Sequence, residues 1–274
     1  MGLRRKPDVE AASFVMIMAA FVVVAFTALA LGHGLGTWDD LWPFLVIGVV
    51  APGLSTILFV AGVVRAGASR TAVIANTFPL FAAVLAIVLL GESFRVSLAL
   101  GTVLVVVGAV GLTFSGSPPS EQRGAFLRVG IVLALLAALA IAGRDIAVRW
   151  TGEGDDLSAV VATAATLLSG GVALGAYLLL TGRGRHPLAR LRTTALPIGV
   201  VGLLTGVTSI AIFEALERGR VTVVSPLIGT AALWTLAFSV LFLRGSEGLG
   251  KRIVISAALV AAGIALIGAT RTGT

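Results

Sequence analysis

Residues 71–92, TAVIANTFPLFAAVLAIVLLGE, give the first indication of the architecture. Most of this stretch is apolar, and about 20 such residues are enough for a helix to cross a bilayer. Pro79 lies inside the run, where it removes the helical hydrogen bond to Ala75. Residues 221–247, VTVVSPLIGTAALWTLAFSVLFLRGSE, repeat the plan with a Pro-Leu pair, an apolar run and a loop that contains Glu. Two copies of one membrane-crossing unit are therefore the starting hypothesis.

Comparable apolar runs follow one another along the whole chain. Read between turn signals, they give nine candidate spanning helices: Ala11–Leu31, Trp42–Val64, Thr71–Leu90, Val96–Phe114, Phe126–Val148, Leu157–Leu180, Ala195–Leu216, Val221–Leu243 and Ile253–Thr270. The first run exceeds the apolar core of a secretory signal peptide, which is about 7–15 residues, so we expect a retained helix. The predicted fold class is an all-α, polytopic membrane helical bundle.

The composition supports this class. The chain is 58% apolar and only 12% charged, whereas soluble domains are about 25% charged. So little charge cannot cover a water-soluble surface, which excludes a soluble enzyme. The chain contains no cysteine, which excludes a disulfide scaffold, a thiol catalyst and a Cys-ligated metal site. The net charge of +7 indicates basic cytoplasmic loops and anionic lipid headgroups rather than nucleic acid.

Lys and Arg are distributed unevenly between alternate loops. Fourteen of the 20 fall on the side that holds the N-terminus. Loops rich in these residues stay in the cytoplasm. The count therefore predicts a multi-pass protein of the cytoplasmic (inner) membrane, with the N-terminus in the cytoplasm and the C-terminus outside.

A shift of 155 residues relates the two halves of the chain. It brings several residues onto identical ones: Glu92 onto Glu247, Val105 onto Val260, Gly108 onto Gly263 and Arg65 onto Arg220. We predict a first repeat over residues 1–114 with four spans, a linker over 115–125, and a second repeat over 126–274 with five spans. A five-helix unit is odd-numbered, so consecutive copies insert in opposite orientations, as in transporters with inverted repeats.

The repeated segments resemble the drug/metabolite transporter superfamily, and within it the EamA-type permeases. The first copy runs from Asn76-Thr77-Phe78-Pro79-Leu80 through Gly91-Glu92 to Gly108, and the second from Val224-Ser225-Pro226-Leu227 through Gly245-Ser246-Glu247 to Gly263. The resemblance covers nearly the whole chain. It implies ten helices, a cavity between the repeats, and transport, commonly export, of small metabolites, amino acids or drug-like molecules.

Some features depart from the pattern of that family. Trp234 stands where the second copy often carries Pro, and Gly-Ser-Glu replaces Gly-Glu in the second turn. The partner of Phe126–Val148, the first of the ten family helices, would precede Met1. We expect that the start of the protein was assigned too late, so that the natural chain begins before Met1. A nine-helix variant of the family is the alternative.

Ionisable side chains within spans are costly in lipid and usually face a cavity or a partner. Glu214 lies about one helical turn from the end of its span, where it either reaches the interface, paired with Arg218, or forms a proton or cation site. Arg144 and Asp145 are either interfacial anchors or contacts for a charged solute. Since neighbours on a helix point about 100° apart, we expect these two not to pair with each other.

Polar and helix-breaking residues inside the spans are the remaining candidates. Those expected to line a cavity are Ser55, Thr56, Asn76, Thr77, Thr208, Ser209, Ser225, Thr230 and Trp234. Helix breaks are predicted at Pro52, Gly53, Pro79 and Pro226. The alternatives are interhelical hydrogen bonds for the polar groups, close packing for glycine, and a lipid-facing or core position for the tryptophan.

We interpret the chain as a secondary transporter that works by alternating access between two inverted repeats. Its expected partners are a small solute and membrane lipid, and a homodimer is left open. We expect no cofactor, no metal and no nucleic acid. The alternatives are a lipid-carrier flippase or a subunit without its own activity, and, less favoured, an intramembrane enzyme acting on lipid-linked substrates. The enzyme would need clustered His, Asp or Glu, which are scarce in the spans.

Overall fold

The structure is a computed structural model that describes residues 9–93, 95–113, 124–152, 157–182, 187–231, 233–234 and 251–269. Throughout these residues the regular secondary structure is helical. Six of the described helical stretches are long and apolar enough to cross a membrane, and two shorter ones are also apolar. The predicted all-α membrane bundle is confirmed.

The structure describes eleven α-helices and one π-helical turn within these residues. In chain order they are α1 (Val9–Ala30), α2 (Trp38–Gly48), a π-helical turn (Val49–Leu54), α3 (Ser55–Ala66), α4 (Ala68–Ala75), α5 (Phe78–Leu89), α6 (Val96–Thr113), α7 (Gly124–Gly152), α8 (Ala159–Leu180), α9 (Pro187–Arg218), α10 (Val221–Gly229) and α11 (Lys251–Ala269). Residues 115–123 of the predicted linker and residues 235–243 of the predicted span Val221–Leu243 lie outside the described residues.

The predicted span Trp42–Val64 is interrupted at its centre. Ala51 leaves helical geometry, with φ of −149° and ψ of 118°, inside the π-helical turn. Pro52 and Gly53 follow it in the same turn. Proline has no N–H to donate to the preceding turn of a helix, so the chain widens here before α3 resumes.

The predicted span Thr71–Leu90 is divided into two helices just before Pro79. The first, α4, ends at Ala75, and Asn76 and Thr77 form the turn that follows. Pro79 lies in the first turn of α5. The missing N–H of a proline costs little at that position, because the first amides of a helix have no partner within the helix.

The chain folds into two compact units, each built from two separate stretches. Unit 1 comprises Met1–Val60 with Thr151–Glu217, and unit 2 comprises Ala61–Trp150 with Arg218–Thr274. Each unit therefore combines segments from both predicted repeats.

In unit 1, α1 packs against α8 in antiparallel orientation. Glycines of α8 face large side chains of α1: a Cβ on Gly171 would meet Met18, and one on Gly175 would meet Phe14. The contacts move towards the C-terminus of α8 as they move towards the N-terminus of α1, so the two helices are antiparallel. The buried residues at this contact are Ile17, Ala20, Val24, Leu167 and Leu174.

In unit 2, α6 and α11 also pack in antiparallel orientation, with their backbones close together. A Cβ on Gly108 would lie 2.6 Å from the carbonyl oxygen of Ser256, and one on Gly101 would lie 3.0 Å from that of Gly263. Small residues allow this approach, which strengthens packing between helices in a membrane.

The helix α10 lies against α5 and α6 inside unit 2. Its residue Val223 belongs to a buried cluster with Leu98, Val105 and Ile267. All six residues from Val221 to Pro226 are buried. The polar side chains of this short segment therefore need partners within the protein.

The close contact between α6 and α11 predicts the effect of a single methyl group. Gly108→Ala should destabilise the protein by about 1–3 kcal/mol, because the added methyl forces two backbones apart. The measurement is the Tm of the purified protein in detergent. Gly143→Ala is the matched control, since a Cβ at Gly143 meets no atom within 4 Å, and its Tm should be unchanged or higher. Equal effects of the two substitutions would contradict the contact.

Candidate functional site

Three of the predicted site residues meet at a buried carboxylate on α7, which belongs to Asp145. The Oδ1 atom of Asp145 accepts hydrogen bonds from Nε of Arg144 at 3.1 Å and from Nη2 at 2.7 Å. Its Oδ2 atom accepts one from Oγ of Ser225 on α10 at 2.7 Å. These three residues form what we name the charged cluster.

The expectation that Arg144 and Asp145 do not pair with each other was wrong. Their Cα–Cβ bonds diverge, as the helical geometry requires. The long arginine side chain nevertheless carries the guanidinium around the helix to the carboxylate, where Nη2 lies 2.7 Å from Oδ1. The angle between neighbours limits short side chains and does not limit arginine.

Access to the charged cluster is unequal. The side chain of Asp145 has no exposed surface, whereas that of Arg144 is 19% exposed. Ser225 is fully buried. The carboxylate is therefore shielded from the surface, while part of the guanidinium reaches it.

The N-terminus of α10 is held by a glutamate far away in the sequence. Oε1 of Glu92 accepts from the amide of Val221 at 2.7 Å, and Oε2 accepts from the amide of Thr222 at 3.1 Å. The hydroxyl of Thr222 also donates to Oε2. A carboxylate is favourable there because it satisfies amides at the positive end of a helix.

A basic residue completes this anchor. Nε of Arg220 lies 3.6 Å from Oε2 of Glu92, and its Nη2 donates to the carbonyl oxygen of Ser93 at 2.8 Å. Thr222 and Ser225 are three residues apart and so lie on one side of α10. Glu92 and Asp145 therefore hold consecutive turns of the same helix and fix its rotation.

Four other predicted polar residues of the spans donate to the backbone of their own segment. The hydroxyl of Thr77 donates to the carbonyl of Ile74 at 2.6 Å, and that of Thr230 to Leu227 at 2.7 Å. The hydroxyl of Ser55 likewise donates to the carbonyl of Pro52, and that of Thr208 to Leu204. Asn76 is half-buried in the turn after α4. A threonine or serine in a helix commonly makes this local bond.

The remaining candidates are distributed over both units. Glu214, Ser209 and Thr56 are half-buried and belong to unit 1. Trp234 belongs to unit 2 and is 60% exposed. Among the described candidates, a direct hydrogen-bonded group forms from Arg144, Asp145 and Ser225.

The sequence reading missed the role of Glu92. It identified this residue as a landmark of the repeat, in the turn that follows the apolar run, but not as a partner of α10. The signal was nevertheless present, because the shift of 155 residues also superposes Arg65 on Arg220. An acidic residue and a basic residue that both recur in the second repeat indicate an interaction between them. The sequence contains no comparable signal for the hydroxyl of Thr222.

This anchor predicts a measurable stability difference. Glu92→Ala should lower the free energy of unfolding by about 1–3 kcal/mol, because two buried amides and a hydroxyl lose their acceptor. Glu92→Gln should cost less, since its carbonyl oxygen still accepts one bond. Thermal unfolding in detergent measures both variants. Asp39→Ala, at an exposed acidic residue in the first turn of α2, is the control. A loss for Asp39→Ala as large as for Glu92→Ala would contradict the assignment.

Comparison with known proteins agrees with this architecture. A sequence model of the EamA-like transporter family matches residues 1–114 and 128–269. A solved crystal structure, described only as that of a protein, is similar with a TM-score of 0.81 and 18% identity, over 97% of this chain and 89% of that one. At that identity the likeness shows the fold. No curated protein sequence matches. Since the family match spans most of the chain, the protein belongs to the EamA-like transporter family, a family of multi-pass membrane transporters within the drug/metabolite transporter superfamily.

Proposed function

We propose that the protein is a secondary transporter that exports small metabolites, amino acids or drug-like compounds across the cytoplasmic (inner) membrane. The charged cluster on α7 and α10 is the observation that carries this proposal. An ionisable pair inside an apolar helix bundle is costly and commonly marks the path of a solute or an ion. The class of solute and the direction of export come from the resemblance to the family.

The chemistry of the cluster favours a solute that carries both charges. Arg144 offers a planar donor set for a carboxylate. Asp145 accepts from an ammonium group, and Ser225 accepts or donates beside it. A zwitterion can enter by exchanging partners with the ion pair, so that neither buried charge is left without a counter-charge. Amino acids and related molecules meet this condition best.

Alternating access between two inverted repeats is the mechanism we propose. The packing of α6 on α11 supports it. The shift of 155 residues carries Val105 onto Val260 and Gly108 onto Gly263. A Cβ on Gly263 would meet Val105, and a Cβ on Gly108 would meet Val260. Antiparallel helices with equivalent residues at their crossing are related by a two-fold axis perpendicular to both, and in a membrane that axis gives an inverted repeat.

The repeats we propose run over residues 1–114 and 126–274. The two separate stretches that match the family support this division. The unequal distribution of Lys and Arg supports a cytoplasmic N-terminus and an outer C-terminus. The homodimer left open by the sequence stays a prediction, and the mass of the protein in native lipid tests it.

Flux through proteoliposomes tests the role of the cluster. Radiolabelled neutral, acidic and basic amino acids are the probes, and we expect the purified protein to move at least one of them. Asp145→Asn should lower this flux by about 10-fold or more, since the loss of a charged hydrogen-bond partner costs about 1.5–3 kcal/mol. Asp39→Asn, at an exposed carboxylate, should leave the flux unchanged.

A double substitution separates transport from folding. Asp145→Asn leaves a partly buried guanidinium without its counter-charge, which costs about 3–5 kcal/mol. Arg144→Gln/Asp145→Asn removes both charges and should recover the Tm, because no buried charge is then unpaired. We expect its flux to stay low. A double variant that regains both stability and flux would show that the cluster is only structural.

Glu214 is the candidate for coupling transport to protons. Glu214→Gln should abolish the acceleration of flux by an imposed pH gradient, because the amide cannot exchange a proton, while flux at equal pH remains. Wild-type and variant proteoliposomes with pyranine inside measure both quantities. An unchanged response to the gradient would contradict this role.

A further inference from the structure

Unit 1 contains an apolar cavity with a volume of about 370 Å³. It lies between the second half of α1, the start of α2 and the first turns of α8. Its walls are carbon side chains from all three helices, among them Phe21, Ala25, Leu45, Ala164 and Leu168. Of the lining residues, His33 in the loop after α1 alone carries an ionisable group.

These walls fit hydrocarbon and do not fit a polar metabolite. A site for a metabolite places several polar groups around the ligand to orient it. Here the imidazole of His33 is the polar group of the wall. The volume is roughly 2.5 times that of the ~150 Å³ apolar cavity that takes up benzene. The space therefore admits a length of flexible chain rather than one ring.

The depth of the cavity agrees with one leaflet of a bilayer. Along α1 its wall extends from Phe21 to Leu29, a rise of about 12 Å. The hydrocarbon core is about 30 Å thick, so the length of this wall is comparable to half of that thickness. Leu29 and Leu168 are exposed at its edge, where a lipid chain can enter sideways.

Asp39 and Asp40 directly precede the lining residue Leu41 at the start of α2, although neither belongs to the wall of the cavity itself. Between residues 28 and 45 the ionisable side chains are His33, Asp39 and Asp40, with no Lys or Arg. Asp40 accepts from the amide of Thr37 at 2.6 Å and from its hydroxyl at 2.8 Å, which keeps the carboxylate at this end. Two carboxylates attract an ammonium group and repel a headgroup with only negative charge.

We propose that this cavity binds the acyl chain of a membrane phospholipid whose headgroup carries an amine. The site belongs to unit 1 and is separate from the charged cluster of unit 2. It is a lipid site in addition to the solute site, and it holds whether or not the cluster binds the solute.

Photolabelling of the full chain in nanodiscs tests this site. The probe is phosphatidylethanolamine with a diazirine in one acyl chain, and mass spectrometry locates the labelled peptides. We expect the label to concentrate on residues 21–29 of α1 and 161–168 of α8. Ala25→Phe and Ala164→Phe fill the cavity from opposite walls. Each should lower the labelling about fivefold or more, because a close-packed interior cannot hold both groups.

A matched control excludes general effects of added bulk. Val172 lies on the same helix, α8, and is 60% exposed, so Val172→Phe should leave the labelling unchanged. The Tm of each variant shows whether it is folded. If Ala25→Phe has a lower Tm than the wild type, the smaller substitution Ala25→Leu takes its place. Labelling spread evenly along α1 and α8, or unaffected by the filling variants, would overturn the site. Unlabelled phosphatidylethanolamine should compete better than phosphatidylglycerol, and equal competition would overturn the amine preference.

Discussion

A carboxylate buried among apolar helices must find its hydrogen bonds inside the protein, and Asp145 finds all of them on two helices. Arg144 supplies the counter-charge from the same helix, and Ser225 supplies a hydroxyl from α10. This arrangement ties the rotation of α10 to α7. The short helix that carries Pro226 is therefore fixed in unit 2 by polar contacts as well as by packing.

The anchor at Glu92 acts on the same helix one turn earlier, at its N-terminus. It satisfies the first amides of α10, which no residue within the helix can do. A helix of nine residues is too short to be stable alone in water. Its two polar attachments and its burial between α5 and α6 therefore define its position. A change at the cluster that loosens Ser225 has a direct route to the movement of α10.

The sequence predicted the class of fold because length and hydropathy suffice for a membrane helix. It also predicted that Arg144, Asp145 and Ser225 were of interest, since each is polar within an apolar run. It could not predict that the three meet, because the contact between Asp145 and Ser225 joins helices 80 residues apart. The pairing of Arg144 with Asp145 was missed for a different reason. The prediction considered the 100° angle between neighbouring residues of a helix and not the length of the arginine side chain.

The breaks in the spans show the same division between local and distant causes. Pro52 and Pro79 are visible in the sequence, and their missing N–H is a local property. The break predicted at Pro226 was wrong, because this proline lies inside α10, which continues to Gly229. Whether a proline bends one helix or separates two depends on the surrounding contacts, and at Asn76 and Thr77 the chain forms a turn between α4 and α5. The apolar cavity of unit 1 has no local signature, because it arises where α1, α2 and α8 leave space between ordinary apolar residues.

The central claim is that the charged cluster binds the solute, and ligand-dependent thermal stability tests it most directly. The Tm of the wild type and of Arg144→Gln/Asp145→Asn is measured in detergent at one neutral pH with an amino acid (the zwitterion), its N-acetyl derivative (the anionic form) and its amide (the cationic form). The account predicts that the zwitterion raises the Tm of the wild type and leaves the double variant unchanged. An equal rise in both proteins, or a rise of the wild type with the single-charge forms alone, would contradict it.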